Sequence, residues 1–236
     1  TEDGYKYIAD KKRKQVIVYD KDDKFVKSYG KKDELARPLD VAVYENKVYV
    51  ADFDKHQIVV YDKDSGEIIQ KIGEGGGGKE EGKFNRPSHV ILDKEGTLYI
   101  DDSFNFRIQK FSPSGELLKV FGYHGDTIGG FARPKGIAID DENHLYVVDT
   151  AFENVQIFDA NSATLLLFFG GFGVGPGSMY LPSPVGIDYV NIDYFSQYVD
   201  KDFKVKYLVY VGNTAGVKKI NVYGFGEWIG PPLPEM

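Results

Sequence analysis

Apolar residues in this chain come in short runs bounded by Gly, Pro, Asp or Asn, and no long segment places them at i, i+3, i+4 and i+7. The pattern predicts strands and turns rather than helices. The runs also recur in a fixed order. A Pro-headed run, Arg37-Pro38-Leu39-Asp40-Val41-Ala42-Val43, returns at Arg86 to Leu92 and Arg133 to Ile139, and more weakly at Ser183-Pro184-Val185-Gly186-Ile187. A second run ends in Asp: Tyr49 to Asp52, Tyr99 to Asp102, Tyr146 to Asp149, with an earlier copy at Tyr7 to Asp10 and a degenerate one at Tyr210 to Asn213. A third covers Gln15 to Tyr19, Gln57 to Tyr61, Arg107 to Phe111 and Val155 to Phe158. The fourth closes on Gly: Tyr29-Gly30, Ile72-Gly73, Phe121-Gly122 and Phe169-Gly170.

Four short strands returning every 47–50 residues, as the prolines do, predict the four-stranded blades of an all-β propeller. The segment Pro134 to Phe158, with Gly136-Ile137-Ala138-Ile139-Asp140 and Leu145-Tyr146-Val147-Val148-Asp149, resembles the NHL-repeat family of β-propellers. The resemblance covers most of the chain and implies one propeller domain over 1–236. It would hold a partial first blade (1–34), blades at 35–73, 84–122, 131–170 and 181–230, and a Pro-rich tail at 231–236. Complete members commonly carry six blades; four full blades and one partial one are expected here, with five in total as the alternative. The partial unit lacks its Pro-headed strand, which is expected from residues ahead of Thr1.

Composition narrows the chemistry. The 236 residues hold no cysteine, which removes disulfides, thiolate nucleophiles and cysteine-held zinc. A net charge of −7 argues against a nucleic-acid binder, although Lys11, Lys12, Arg13 and Lys14 make one basic turn. No apolar run is long enough for a membrane-spanning helix. The glycine runs at 75–78 and 170–177 lack the Ser/Thr and the following helix of a phosphate loop, and read as flexible connections between blades.

The repeated Asp10, Asp52, Asp102 and Asp149 are expected to cap the turns that follow them, because a catalytic group has no reason to be copied in every blade. Arg37, Arg86 and Arg133 sit where one blade hands over to the next; pairing with a neighbouring blade is the default, and a ring of Arg meeting an anion the alternative. Departures from the repeat say more. Where later blades carry Gly136 and Gly186, two earlier ones carry Asp40 and His89, the ligand or metal candidates at the mouth of the channel. The interval from Asp149 to Asn213 is longer than its predecessors and holds Tyr189, Tyr194, Phe195, Tyr198, Phe203 and Tyr207, candidates for an interaction surface on lengthened strands.

These features favour a non-catalytic scaffold that binds a protein or ligand through its loop faces and the 189–207 insertion, with no cofactor, no metal and no assigned catalytic residue. The partner expected is another protein. The alternative is a propeller enzyme, a lyase or a lactonase-like hydrolase, working near Asp40 and His89. The resemblance further implies a periplasmic or cell-surface location.

Overall fold

The computed structural model describes residues 1, 3–73 and 76–232. Its strands form five antiparallel sheets, each in simple sequence order. The first holds β1 (Lys6–Asp10), β2 (Gln15–Tyr19) and β3 (Phe25–Tyr29). The second holds β4 (Pro38–Tyr44), β5 (Lys47–Asp52), β6 (Gln57–Asp62) and β7 (Ile68–Ile72). The third holds β8 (His89–Leu92), β9 (Leu98–Asp102), β10 (Arg107–Phe111) and β11 (Leu117–Phe121). The fourth holds β12 (Pro134–Ile139), β13 (His144–Asp149), β14 (Asn154–Asp159) and β15 (Leu165–Gly170). The fifth holds β16 (Pro182–Asp188), β17 (Phe203–Asn213) and β18 (Ile220–Trp228). The described residues thus build five blades, three of four strands and two of three; the unit at 181–230, expected to be full, has three.

The core lies between blades. Successive side chains of a strand face opposite ways, so Val48 and Val50 pack against Val16, Val18 and Tyr29 of the first blade. Tyr49 and Ala51 turn to Val90, Leu98 and Ile100 of the third. Both faces of β5 are therefore buried, which is why its sequence is continuously apolar instead of alternating. The same division recurs on β13, where Leu145 and Val147 face the third blade while Tyr146 and Val148 face the fifth. Inner strands β4, β8, β12 and β16 lie side by side in that order, with β1 against β4. Among the described residues, no comparable packing joins β16 to β1.

Each inner strand starts at one face of the molecule, here the upper, and ends at the lower. Blade-to-blade connections cross the upper face. The Gly that ends a fourth strand makes this handover possible. Gly73 and Gly122 have φ of 83° and 76°, and a Cβ on either would meet the ring of Phe84 or Phe131 within 2.2 Å. Those two rings, fully buried, start the next blade.

The repeated Asp does more than cap its own turn. Asp52 accepts hydrogen bonds from the N–H groups of Ala36 and Arg37, both at 2.8 Å, and Asp149 from those of Ala132 and Arg133. Asp102 accepts from Asn85 N–H and from Arg107 Nε. Each carboxylate thus pins the segment that leads into its own blade's inner strand. Asp149 also holds the turn that follows through two backbone N–H groups and Asp102 through Asn105 Nδ2, whereas Asp10 holds only its following turn.

Two expectations are revised. Pro182, not Pro184, heads the last inner strand, because Pro182 pairs with Asn213 as Pro38 pairs with Asp52 and Pro134 with Asp149. Gly186 therefore does not share a position with Gly136. The described parts of the glycine-rich connections are tied down rather than loose. Gln109 holds Gly82 N–H and Lys83 C=O, and Asn105 holds Gly78 C=O; Asn221 and Tyr223 hold Ser178 and Gly177. Gly75 and tail residues 233–236 lie outside the described residues.

Candidate functional site

The inner strands of the second, third and fourth blades open at the upper face into a cleft of about 640 Å³. Leu39, Ala132, Pro134 and the rings of Phe53, Phe104 and Phe106 make its apolar wall; Arg37, His89, Arg133 and Lys135 bring charge. The rings come from the turns after β5 and β9. Phe53 and Phe104 meet edge to face at 5.9 Å, the Arg37 guanidinium lies 4.9 Å over Phe53, and that of Arg86 lies 5.4 Å from Phe53 and 5.0 Å from Phe104. The two rings and two cations thus form one cluster across two blades. Arg37 has one distant carboxylate, Asp54 at 4.0 Å. No described carboxylate pairs with Arg86, Arg133 or Lys135.

Asp40 and His89 occupy the position where the fourth blade has Gly136, and of the two His89 lines the cleft. A Cβ on Gly136 would meet Ser183 C=O at 1.9 Å, so that blade admits only glycine. Asp40 instead reaches across to the third blade and accepts from Val90 N–H at 3.0 Å. Burial raises its pKa above the usual carboxylate value, although the charge of His89 and two backbone donors pull the other way. Asp40 and His89 make no hydrogen bond with each other.

The partner of His89 is Asp101, which the sequence reading passed over. Its carboxylate is fully buried. Asp101 Oδ2 accepts from Ser88 Oγ at 2.5 Å and Ser103 Oγ at 2.7 Å and lies 3.5 Å from His89 Nδ1, while Oδ1 has no described partner. Since Ser88 gives its proton to Asp101, His89 Nδ1–H donates to Ser88 Oγ at 2.8 Å. Burial by itself pushes the His89 pKa down, but the Asp101 hydrogen bond and the charges of Asp101 and Asp40 outweigh it, and the net shift is upward. Lys135 opposes that rise. A signal for Asp101 was present: the same position of the second element is Ala51 or Val148 elsewhere.

The insertion lies at the other, lower face. It carries a short helix, α1 (Ile192–Phe195), and β17 and β18 are eleven and nine residues long. Tyr194 and Tyr198 are exposed, Tyr189 is 41% exposed, and Phe195 and Phe203 are half-buried. Tyr207, named with them from sequence, is 1% exposed and so belongs to no surface. Its hydroxyl donates to Asp140 at 2.5 Å and meets Tyr146 OH at 2.7 Å, locking the fifth blade to the fourth.

Among the described residues no group of three or more His, Asp or Glu is placed to hold a metal ion, and no helix is long and apolar enough to cross a membrane. No family model matches the chain, and no curated protein matches it. Solved structures do. Streptogramin B lyase has a TM-score of 0.62 at 13% identity, over 95% of this chain and 66% of that one. Virginiamycin B lyase from Staphylococcus aureus gives 0.61 at 14%, over 95% and 68%. The fold is a β-propeller. Kuenenia stuttgartiensis hydrazine synthase adds a TM-score of 0.59 at 15% identity over 88% of this chain. The propeller described here spans about half of that synthase chain and two thirds of the lyase chains. At such identities the likeness is one of fold alone.

Proposed function

We propose that this propeller is a non-catalytic binding module of the NHL type whose upper face receives an anionic ligand or the anionic part of a partner. One observation carries the reading: a cleft of about 640 Å³ gathers Arg37, Arg133, Lys135 and His89 from three blades, in a chain of net charge −7. Two of these cations, Arg133 and Lys135, have no described carboxylate, and such groups beside a concave apolar wall are what a ligand of opposite charge requires. The exposed Tyr194 and Tyr198 offer a second contact surface on the lower face.

The test is a solution NMR screen of small acids and acidic peptides against the labelled protein. Amide shifts confined to Ser88, His89, Ser103 and Ala132, and lost in Arg133→Glu, are expected. A panel in which nothing perturbs these residues refutes the reading.

A second reading, a lyase or a lactonase-like hydrolase, is favoured by the Ser88–His89–Asp101 cluster, and two of the structurally similar proteins are lyases. The cluster is not arranged as a nucleophile relay, because Ser88 and Asp101 both lie on the Nδ1 side of His89 and bond each other. That leaves His89 Nε2 as the group for proton transfer. Turnover abolished by His89→Gln, with binding kept, would establish this second reading.

A further inference from the structure

We propose that the upper cleft binds a small planar aromatic acid, its carboxylate against Arg133 and Lys135 and its ring among Phe53, Phe104 and Phe106. The inference rests on the reading of the upper face as a binding surface and names what that surface selects.

Charge comes first. Every ionised side chain on the cleft wall is cationic; Arg37, Arg133 and Lys135 contribute, and no Asp or Glu does. The upward shift of His89 adds to the same sign. The wall also offers few other donors. The hydroxyls of Ser88 and Ser103 already point to Asp101, so the wall's open side-chain donors are those of its cations. A single carboxylate needs only a guanidinium fork and an ammonium.

Ring geometry supplies the second half. Phe53 and Phe104 meet edge to face at 5.9 Å, Arg86 lies beside both at 5.4 and 5.0 Å, and Arg37 lies 4.9 Å from Phe53. Phe104 is 49% exposed. A flat ring packs on such an aromatic cluster by offset or edge contact, whereas a saturated ring has no face to present. Phe106 forms a further wall, its own far side covered by His124 at 4.1 Å. The volume, about 640 Å³, suits a body of two or three fused rings and far exceeds what a bare inorganic anion fills.

The experiment titrates the protein with 1-naphthylacetate, its neutral amide 1-naphthylacetamide, cyclohexylacetate and inorganic phosphate, by calorimetry and by NMR shifts at Ser88, Ser103 and Ala132. Saturable binding of 1-naphthylacetate is expected, with the amide and the cyclohexyl acid each weaker by about tenfold or more. Arg133→Gln and Phe104→Leu alter exposed side chains, so both should fold with an unchanged Tm while losing about fivefold or more in affinity. Equal binding of the amide, or of cyclohexylacetate, at the same residues overturns the aromatic-acid assignment and leaves the binding face standing. Equal binding of 1-naphthylacetate by both variants overturns the placement. If neither these acids nor any acidic peptide shifts an upper-face residue, the binding face itself falls.

Discussion

The two ends of the inner strands β4, β8 and β12 are built from the same repeat and have opposite charge, yet they use that charge differently. At the lower end a cavity of about 290 Å³ is lined by Asp93, Glu95, Asp140 and Asp141. Nearly all of that acid is spent. Asp93 accepts from Glu95 and Thr97 N–H groups, Asp141 pairs with Lys94 at 2.7 Å, and Asp140 accepts from His144, Tyr146 and Tyr207. At the upper end the carboxylates Asp52, Asp102 and Asp149 are buried and spent in the same way, and Arg107 with them, but Arg86, Arg133 and Lys135 have no described carboxylate. Charge consumed by backbone donors and tyrosines is architecture. Charge left facing an apolar cleft, with no described partner, is what a ligand can use.

The sharpest way to break this contrast is to remove a spent carboxylate from each end. Asp102→Ala strips Arg107, which is 8% exposed, of its one described carboxylate and removes the acceptor of Asn85 N–H. Breaking a buried pair by removing one partner costs about 3–5 kcal/mol, so denaturant unfolding should show a large drop in midpoint. Asp159→Ala, in an exposed lower turn where the carboxylate only holds Asn161 and Ser162, should move the midpoint far less. Equal effects would mean that the buried aspartates are not what joins each blade's leading segment to its sheet.

Tyr207→Phe tests the lower end next. Asp140 would lose its 2.5 Å donor and Tyr146 its 2.7 Å partner, while the stack of the ring on Phe225 at 4.7 Å survives. A buried acceptor left short costs about 1–3 kcal/mol. Ligand binding at the upper cleft should not change at all; a change would show that the two ends are coupled through β12.

The fold was legible because the repeat is carried by residues with one job each. Pro heads the inner strand, Asp closes the second strand, and Gly at positive φ ends the fourth. Burial on both faces of β5 and β13 was legible too, as unbroken apolar runs. The slip at Pro182 was not, since moving a strand by two residues keeps every side chain on its face, and Pro184 fits the pattern almost as well. Nor were the partners of the aspartates, because Asp52 and Ala36 lie sixteen residues apart and meet through the pairing of Pro38 with Asp52. The site was half legible. Asp40 and His89 stood out as departures from glycine, whereas Asp101 was hidden inside an Asp-Asp pair of which the second member belongs to the repeat. Tyr207 was misplaced because an aromatic in a lengthened strand reads the same whether its hydroxyl meets water or a buried carboxylate.

The smallest effect expected is a pH dependence confined to the upper end. The groups facing His89 are Asp101 on β9, Asp40 on β4, Lys135 on β12 and the Ser88 hydroxyl. With the folded pKa raised above the unfolded value, the stabilisation from His89 is complete below the unfolded pKa, about 6.5. It is lost as pH rises through the folded pKa. Asp40, also raised, gives a slope of the same sign but in the acid range, above about 3.9, so the two windows are separate. Unfolding free energy should therefore fall as pH rises above about 6.5 in the wild type, and His89→Gln should flatten that slope. Binding of 1-naphthylacetate should weaken over the same interval, because the imidazolium next to Lys135 loses its charge, and the His89→Gln variant should bind with no such dependence. A slope that survives the substitution would move the titrating group elsewhere, and the contrast between spent and unspent charge would then no longer run through His89.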